Sequence, residues 1–392
     1  MNDRTDRQAL TPAENRKRLE ALHQSTDRLS LFEFWGEDPR NEREATDKLQ
    51  ARVPAQPHHW RYKDIQPCLL EAADLVPLEM SERRSLIMMN PALRPSVATV
   101  TTLFAAYRIN VPHEIAPAHR HSPNAIRFGL TGATNFTSVN GENITFGPGD
   151  LVLTPHDTWH NHGNGPDDAS VNLSVLDMPL VNVLNATYFE FDYKEELGGG
   201  SAQKRVQSAK VPDDYSQRMY GTGGLMPRGG VSHSRGAGTS SPMFVYRWEN
   251  TERMLRQLRD REPDPHQGTL VEFINPVTGG PTYKTMTFFV MLLRPGEKLL
   301  AMRQTASQIC TVFRGRGSSI VGKARFDWEQ FDTFCIPGGE WYEHANTNTS
   351  AGEDAIILIS SDEPTLRILG FLLKHGRDRN GDSVLLESSV HA

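Results

Sequence analysis

The fold is decided by residues 112–164, PHEIAPAHRHSPNAIRFGLTGATNFTSVNGENITFGPGDLVLTPHDTWHNHGN. The stretch contains two histidine clusters, HRH at residues 119–121 and HNH at residues 160–162. A Gly149-Asp150 step between them is of the kind that turns a chain from one strand into the next. The pattern therefore predicts two strands that each carry histidines on one face, because side chains on a strand alternate between faces.

The two strands are predicted to bring histidines together. If both strands line one small barrel, the imidazoles of His119, His121 and His160 converge, and neutral imidazole suits Zn, Cu, Fe or Ni. An unbroken strand would place Arg127 on the face of His119 and His121, and His162 on the face of His160. Two interpretations of His162 remain open, a role in the site and a hydrogen bond to a neighbouring strand.

The clusters resemble the two motifs of the cupin superfamily. The first motif is His-x-His followed by a Glu and a Gly, and here the Glu slot is occupied by Ala125 or Ile126. The second motif is Gly, five residues, Pro, x, Gly, two residues, His, three residues and Asn. It is present as Gly149, Pro155, Asp157 in place of the Gly, His160 and Asn164.

The missing Glu narrows the resemblance. HRHS followed by AIRF, GD, TP, TWH and HGN is similar to the gentisate and salicylate 1,2-dioxygenases and 1-hydroxy-2-naphthoate dioxygenase, over about residues 30–375. The resemblance implies a mainly β bicupin, with two tandem jelly-roll barrels and an N-terminal helical segment. It also implies a homotetramer and Fe(II) held by His119, His121 and His160. The implied reaction cleaves a 2-hydroxy aromatic acid with O2 between the carboxyl-bearing and hydroxyl-bearing carbons.

The resemblance also implies substrate-binding residues. Arg127 matches an arginine of the family motif, and a guanidinium can hold a carboxylate with two parallel hydrogen bonds. The alternative is a buried Arg127 paired with Asp177. His162 would hydrogen-bond the substrate or oxygen, or move a proton.

Four further positions carry over to the substrate pocket. Arg83 is implied to reach it, with a solvated charge cluster as the alternative. Phe104, Ala106 and Arg108 stand where the family has Tyr or Trp, a small residue and Gln. Arg108 would bind an extra acidic group or pair with a local carboxylate, so the exact hydroxy acid is left open.

Internal similarity predicts a second barrel. LLRPGEKLLAMRQTASQICTVFRGRG matches INVPHEIAPAHRHSPNAIRFGLTG, and FDTFCIPGGEWYEHAN matches GDLVLTPHDTWHNHGN. Met302, Gln304 and Tyr342 replace the three implied metal ligands, and only His344, the counterpart of His162, is retained. The second barrel is therefore predicted to bind no metal.

The predicted organisation has six parts. They are an N-terminal helical and extended segment 1–94, a first cupin barrel 95–193, a Gly-rich linker 194–248, a helix and connection 249–283, a second cupin barrel 284–376 and a C-terminal tail 377–392. Thr11, Pro12 and Glu14 are typical of a helix start. Residues 250–261 are expected to form a helix capped by Asn250. The loop 194–242 is interpreted as a lid or as a flexible linker.

Composition excludes several partners. The 392 residues carry a net charge of −6 without a basic run, so nucleic acid is not expected. No apolar stretch reaches membrane-spanning length and the N-terminus has no secretory signal pattern. Three cysteines without a CxxC motif predict free thiols and a cytoplasmic location. Alternatives to the dioxygenase are another cupin metalloenzyme, such as an isomerase or decarboxylase, and a non-catalytic small-molecule-binding cupin.

Overall fold

The computed structural model of the chain describes residues 11–33, 35, 44, 54–77, 84–166, 168–191, 212–223, 238–348 and 353–390. The chain divides into two compact units, Met1–Val53 and Pro54–Ala392. The smaller unit contains helix α1 (Pro12–Arg28). Its predicted start is confirmed, because Thr11 Oγ1 accepts the N–H of Glu14 at 3.3 Å and the Glu14 carboxylate accepts the N–H of Thr11 at 2.9 Å.

The first half of the larger unit forms a barrel of antiparallel strands. Its elements are β1 (His58–Trp60), α2 (Tyr62–Leu75), β2 (Ser85–Ile87), a 3-10 helix (Pro91–Leu93), β3 (Phe104–Asn110), β4 (Arg120–His121), β5 (Ala125–Gly129), β6 (Asn135–Val139), β7 (Glu142–Phe146), β8 (Leu151–Thr154), β9 (His160–Asn164), β10 (Ser170–Leu176), α3 (Met178–Val183), β11 (Phe189–Glu190), α4 (Tyr215–Tyr220) and β12 (Val245–Tyr246). One sheet has the order β12-β8-β5-β10-β3-β2, a second has the order β7-β6-β9, and β4 pairs with β11. These sheets form the first barrel.

The second half repeats this arrangement. Its elements are α5 (Trp248–Arg259), β13 (Thr269–Glu272), β14 (Thr287–Leu293), β15 (Met302–Gln304), β16 (Gln308–Arg314), β17 (Gly317–Val321), β18 (Ala324–Trp328), β19 (Thr333–Ile336), β20 (Trp341–Asn346), β21 (Ala355–Ser361), α6 (Glu363–Ile368), β22 (Leu373–Arg377) and β23 (Ser383–Ser388). The sheets β1-β19-β16-β21-β14-β13 and β18-β17-β20-β15-β22-β23 form the second barrel. The order β19-β16-β21-β14 repeats β8-β5-β10-β3, so the prediction of a mainly β chain with two related barrels is confirmed.

The central strands are buried on both faces. All seven residues of β3 and all seven of β10 are buried, which is why the sequence of β3 shows no clear polar and apolar alternation. Strand β3 begins at Phe104. Before it, the N–H groups of Thr99 and Val100 both bond the carbonyl of Leu103 at 3.0 Å, which bends the chain into a turn.

The two barrels share one apolar core. The hydroxyl of Tyr107 on β3 donates to the carbonyl of Phe331 and lies 2.7 Å from Thr333 Oγ1 on β19. The ring of Tyr62 packs edge-on against Tyr107 at 5.3 Å and against Phe331 at 5.4 Å. Trp248 contacts Phe313 of the second barrel at 4.8 Å between ring centroids. The barrels are therefore packed against each other by aromatic side chains.

Segments that flank the barrels complete their sheets, which moves the predicted boundaries. β1 and β2 belong to the segment predicted as 1–94, yet β1 pairs with β19 and β2 pairs with β3. β12 lies in the predicted linker and pairs with β8, and β23 lies in the predicted tail and pairs with β22. The physical reason is that an edge strand leaves unpaired N–H and C=O groups, which these flanking segments satisfy.

Helix α5 begins at Trp248, so the predicted cap at Asn250 was wrong. The N-cap residue is Arg247, which makes no side-chain capping bond. Instead the carboxylate of Asp150, between β7 and β8, accepts the N–H of Trp248 at 2.8 Å and pairs with Arg247 at 2.8 Å. The cap comes from a residue distant in sequence, and a local pattern cannot show it.

Two composition-based expectations agree with the structure. All three cysteines, Cys68, Cys310 and Cys335, are free thiols. Within the described residues, no helix combines the length and the apolar composition needed to cross a bilayer. The predicted lid or linker at 194–242 falls mostly on residues 192–211 and 224–237, which lie outside the described residues.

Glu142 attaches helix α4 to the first barrel. Its carboxylate accepts the N–H of Ser216 at 3.0 Å and the Ser216 hydroxyl at 2.7 Å, and the Ser216 oxygen accepts the N–H of Phe244 at 2.9 Å. Burial raises the pKa of Glu142 to about 7, although the bonds from Ser216 act in the opposite direction. The carboxyl group therefore changes charge near neutral pH.

Replacing Glu142 by Gln is expected to remove a pH dependence of stability. The folded pKa of about 7 exceeds the usual 4.5, so the contribution of Glu142 is fully present below about pH 4.5 and is lost as pH rises through about 7. Urea unfolding at pH 5 and pH 8 measures the free energy of unfolding of both proteins. Between these pH values, wild type should lose up to about 3 kcal/mol more than E142Q. Parallel pH dependence of the two proteins would contradict this.

Candidate active site

His119, His121 and His160 lie together inside the first barrel. His119 and His160 exchange main-chain hydrogen bonds, each N–H to the other's carbonyl at 3.0 Å. Ring centroids are 4.3 Å apart for His119 and His160, 4.8 Å for His121 and His160, and 5.7 Å for His119 and His121. The three residues are buried, and one ring nitrogen from each lies within 4.8 Å of the others. The structure thus brings together the three histidines that the motifs single out.

Carbonyl groups orient the three rings. Nδ1 lies 3.2 Å from the carbonyl of Pro117 in His119, 2.8 Å from that of Pro123 in His121 and 2.7 Å from that of Thr158 in His160. A carbonyl oxygen only accepts, so Nδ1 carries a hydrogen in each ring, and Nε2 is the nitrogen that holds a lone pair when the ring is neutral. Among the described residues, Nε2 of His160 has no hydrogen-bond partner. This is the arrangement by which a carbonyl orients an imidazole for metal binding.

The electrostatics of the cluster also fit a metal. Burial lowers the pKa of His160 well below its usual value, and the neighbouring His119 and His121 lower it further. The ring is therefore neutral at physiological pH and can donate its lone pair. Three buried imidazole nitrogens suit a divalent transition-metal ion.

Arg127 and His162 are in direct contact beside the cluster. Arg127 on β5 donates from Nη1 to the Ile126 carbonyl at 2.9 Å, and its Nη2 lies 3.2 Å from Nε2 of His162. Guanidinium only donates, so Nε2 of His162 accepts and Nδ1 carries the hydrogen toward Thr137 Oγ1 at 2.8 Å. Burial has the largest effect on the pKa of His162 and lowers it well below its usual value. The positive charges of Arg127 and Arg108 lower this pKa further. His162 is therefore a neutral acceptor.

The proposed pairing of Arg127 with Asp177 is not seen. Asp177 accepts the N–H of Asn124 at 2.8 Å, the Asn124 side chain at 2.9 Å and the Thr285 hydroxyl at 2.5 Å. Burial is the largest influence on the pKa of Asp177, which it raises. Asp177 therefore links the end of β10 to the start of the second barrel.

The remaining predicted pocket residues lie on β3, next to β10. Across β10, Ser174 pairs with both Ala106 and Arg127, so these three residues share a face. Arg108 follows on that face, is 2 % exposed, and donates from Nε to Asn110 at 2.9 Å. Phe104 packs with Ala106 in a small apolar cluster. Arg83 lies outside the described residues, so its predicted role stays a prediction.

Two phenylalanines contact the histidine cluster and were missed by the sequence interpretation. Phe189 on β11 pairs with His121 in register, and their rings are 5.4 Å apart. The ring of Phe191 is 6.2 Å from that of His119 and stacks on Phe189 at 6.1 Å. Neither residue belongs to a cupin motif, and only the pairing of β11 with β4 brings them to the site.

The second barrel keeps the frame of the site with different side chains. Met302 and Tyr342 face each other on paired strands, at the positions equivalent to His119 and His160. His344 bonds Ser319 at 2.7 Å, as His162 bonds Thr137. Among the described residues, the only group of metal-binding side chains is that in the first barrel. The absence of metal from the second barrel stays a prediction.

Comparison with known proteins is consistent over nearly the whole chain. A Cupin domain model matches residues 109–176. The 5-aminosalicylate 1,2-dioxygenase of a Comamonas species is 33% identical over 359 residues, covering 90% of this chain and 88% of that protein. The gentisate 1,2 dioxygenase 1 of Aquipseudomonas alcaligenes is 32% identical over 323 residues, covering 80% of this chain and 85% of that protein.

A solved structure agrees with these relatives. The salicylate 1,2-dioxygenase of Pseudoaminobacter salicylatoxidans, determined as adducts with gentisate, superposes with a TM-score of 0.80 at 27% identity, covering 95% of this chain and 96% of that one. The match extends over both barrels, so it supports the bicupin architecture as well as the first-barrel motifs. The chain therefore belongs to the bicupin family of aromatic ring-cleaving 1,2-dioxygenases.

Proposed function

We propose that the chain is an Fe(II)-dependent dioxygenase of a 2-hydroxy aromatic acid. In this proposal the ring bond between the carboxyl-bearing and the hydroxyl-bearing carbons breaks, and both atoms of O2 enter the product. The observation that carries it is the cluster of His119, His121 and His160 beside the buried pair of Arg127 and His162. The cytoplasmic location and the homotetramer stay predictions of the sequence.

Fe(II) would be held by Nε2 of His119, His121 and His160. When bound, it would attract the hydroxyl and carboxyl oxygens of the acid and supply the redox chemistry that O2 requires. Three neutral imidazoles leave its double positive charge uncompensated, so an anionic chelating acid is a better ligand than a neutral phenol. The choice of an acid over a neutral aromatic therefore follows from the charge of the histidine ligands.

Arg127 and His162 would orient the acid and handle its proton. Arg127 would hold the carboxylate with paired N–H donors, which fixes the direction of the ring. A carboxylate that accepts the Nη2 hydrogen bond now directed at His162 releases Nε2 of His162, which is then free to accept the proton of the substrate hydroxyl. Substrate binding and the exposure of this base would thus be a single event.

A substrate panel under controlled iron loading tests the function. The protein is depleted of metal, reconstituted with Fe(II) without oxygen, and mixed with O2 and gentisate, salicylate, 5-aminosalicylate or 1-hydroxy-2-naphthoate. We expect O2 uptake equal to the substrate consumed and a ring-fission absorbance with at least one acid. Iron binding without O2 uptake would favour another cupin metalloenzyme, and neither would indicate a non-catalytic binding protein.

The iron content of the protein tests whether only the first barrel binds metal. We expect one iron per chain after desalting, measured by elemental analysis, because the three neutral nitrogen donors come together in the first barrel. His160→Ala should bind none, since it removes one of three ligands. The matched control is Tyr342→Phe, at the equivalent position of the second barrel, which should retain the full iron. Two irons per chain in the wild type would contradict the proposal.

A double-mutant cycle tests the contact between Arg127 and His162. Arg127→Lys should raise KM about 10- to 100-fold, because a lysine cannot present two parallel donors. His162→Ala should lower kcat about 100-fold or more as a base is lost, and should raise KM because Arg127 loses the contact that orients its guanidinium before the substrate binds. In the double variant the two increases in KM should be less than multiplicative. Fully multiplicative effects would show that the two residues act separately.

A further inference from the structure

Asp157 departs from the cupin motif, which has glycine at this position. Its φ of 58° lies in the left-handed region, which glycine adopts freely and which costs other residues energy. The equivalent residue of the second barrel is Gly339, with a φ of 93°. The main chain makes the same hydrogen bond in both barrels. The N–H of Asp157 donates to the His121 carbonyl at 2.8 Å, and the N–H of Gly339 donates to the Gln304 carbonyl at 2.7 Å. The aspartate side chain is therefore an addition to a turn that both barrels share.

The side chain of Asp157 joins three elements around the site. Its Oδ1 accepts the hydroxyl of Tyr188 at 2.6 Å and lies 3.2 Å from Nη1 of Arg120. Arg120 also donates from Nε to Glu190 at 2.6 Å, and its guanidinium lies over the ring of Trp159 at 5.2 Å. Since Tyr188 and Glu190 flank Phe189, the carboxylate of Asp157 ties β11 to β4 from outside the barrel.

Among the described residues, strand β11 makes few other polar contacts. It consists of two residues, Phe189 and Glu190, paired with β4. Beyond this pairing, Ser122 and Tyr188 exchange two bonds, from the Ser122 N–H at 3.2 Å and from the Tyr188 N–H at 3.0 Å. A strand this short gains few main-chain bonds, so side-chain contacts decide whether it stays in place.

In the second barrel, the strand equivalent to β11 is held without an aspartate. There β22 has five residues, Leu373–Arg377, and pairs both with β15 and with β23. Arg303 stacks over Trp341 at 5.1 Å, as Arg120 does over Trp159, but Gly339 offers no carboxylate. The carboxylate is thus found in the barrel that has the short strand and the histidine cluster.

We propose that Asp157 is a positioning residue that, through Tyr188 and Arg120, holds β11 and the adjoining Phe191 against the histidine cluster and thereby strengthens binding of the aromatic acid. The ring of Phe189 lies against that of His121 and the ring of Phe191 against that of His119. Displacement of β11 would therefore remove apolar surface beside the histidines, on which an aromatic acid could pack. The effect on the substrate rests on the proposed function; the effect on β11 does not.

Two readouts separate these effects. Hydrogen–deuterium exchange of the peptide spanning residues 186–191 reports on β11 without any turnover. KM and kcat of the iron-loaded enzyme report on substrate binding. Asp157→Gly restores the motif residue and relieves the left-handed strain, so a loss of function in it cannot be ascribed to backbone incompatibility. Tyr188→Phe removes only the hydroxyl that bonds Asp157.

We expect faster exchange at 186–191 in both variants and a KM raised about 3- to 10-fold, with kcat falling less than KM rises, as suits the loss of partly exposed polar contacts. Asp157→Asn tolerates the same backbone and can still accept from Tyr188, so it should recover part of both effects. The matched control is Asp214→Gly, which removes another left-handed aspartate paired with an arginine, Arg247 at 2.6 Å, and should change neither readout.

Each outcome decides the proposal. Wild-type exchange in Asp157→Gly would overturn the claim that the carboxylate holds β11. Faster exchange with an unchanged KM would overturn the link to substrate binding. If wild type turns over no aromatic acid, the proposed function fails, and the exchange experiment still decides whether Asp157 holds the strand.

Discussion

The site depends on the two main-chain hydrogen bonds between His119 and His160. They set the two residues directly opposite each other, so both side chains leave the backbone on the same face. His121 follows two positions after His119, and carbonyl groups at Nδ1 then set the rotation of each ring. The geometry therefore comes from the polypeptide itself, and a metal ion would bind to ligands that are already in place.

The second barrel shows that the arrangement of the histidine rings does not follow from the fold alone. Met302 and Tyr342 pair across the same two strands, yet neither carries an imidazole. Phe289 and Met291 occupy the positions of Ala106 and Arg108. Together with Met302 and Tyr342 they line a cavity of only about 20 Å³. Such a cavity has room for about one water molecule. The strand order is thus the same in both barrels, and the side chains on the strands decide what lines each interior.

The sequence could predict the histidine cluster because its determinants are local. Two short motifs place histidines at strand spacing, and a barrel brings such strands together. Phe189 could not be found in this way, because it reaches His121 through a two-residue strand that no periodicity reveals. The start of α5 was misplaced for a related reason, since its cap is the distant Asp150. Contacts between segments far apart in sequence set the limit of prediction here.

Charge explains why the first barrel suits an acid. Burial keeps His160 and His162 neutral, whereas Arg127 and Arg108 bring positive charge into the same interior. The field that lowers the pKa of His162 is the same field that a carboxylate would experience as attraction. Neutral histidines are needed to bind a metal, and positive arginines are needed to bind an anion beside it. The low-dielectric interior penalises a proton on His160 and His162, whereas a guanidinium stays charged in proteins in any case. The same interior strengthens a guanidinium–carboxylate contact.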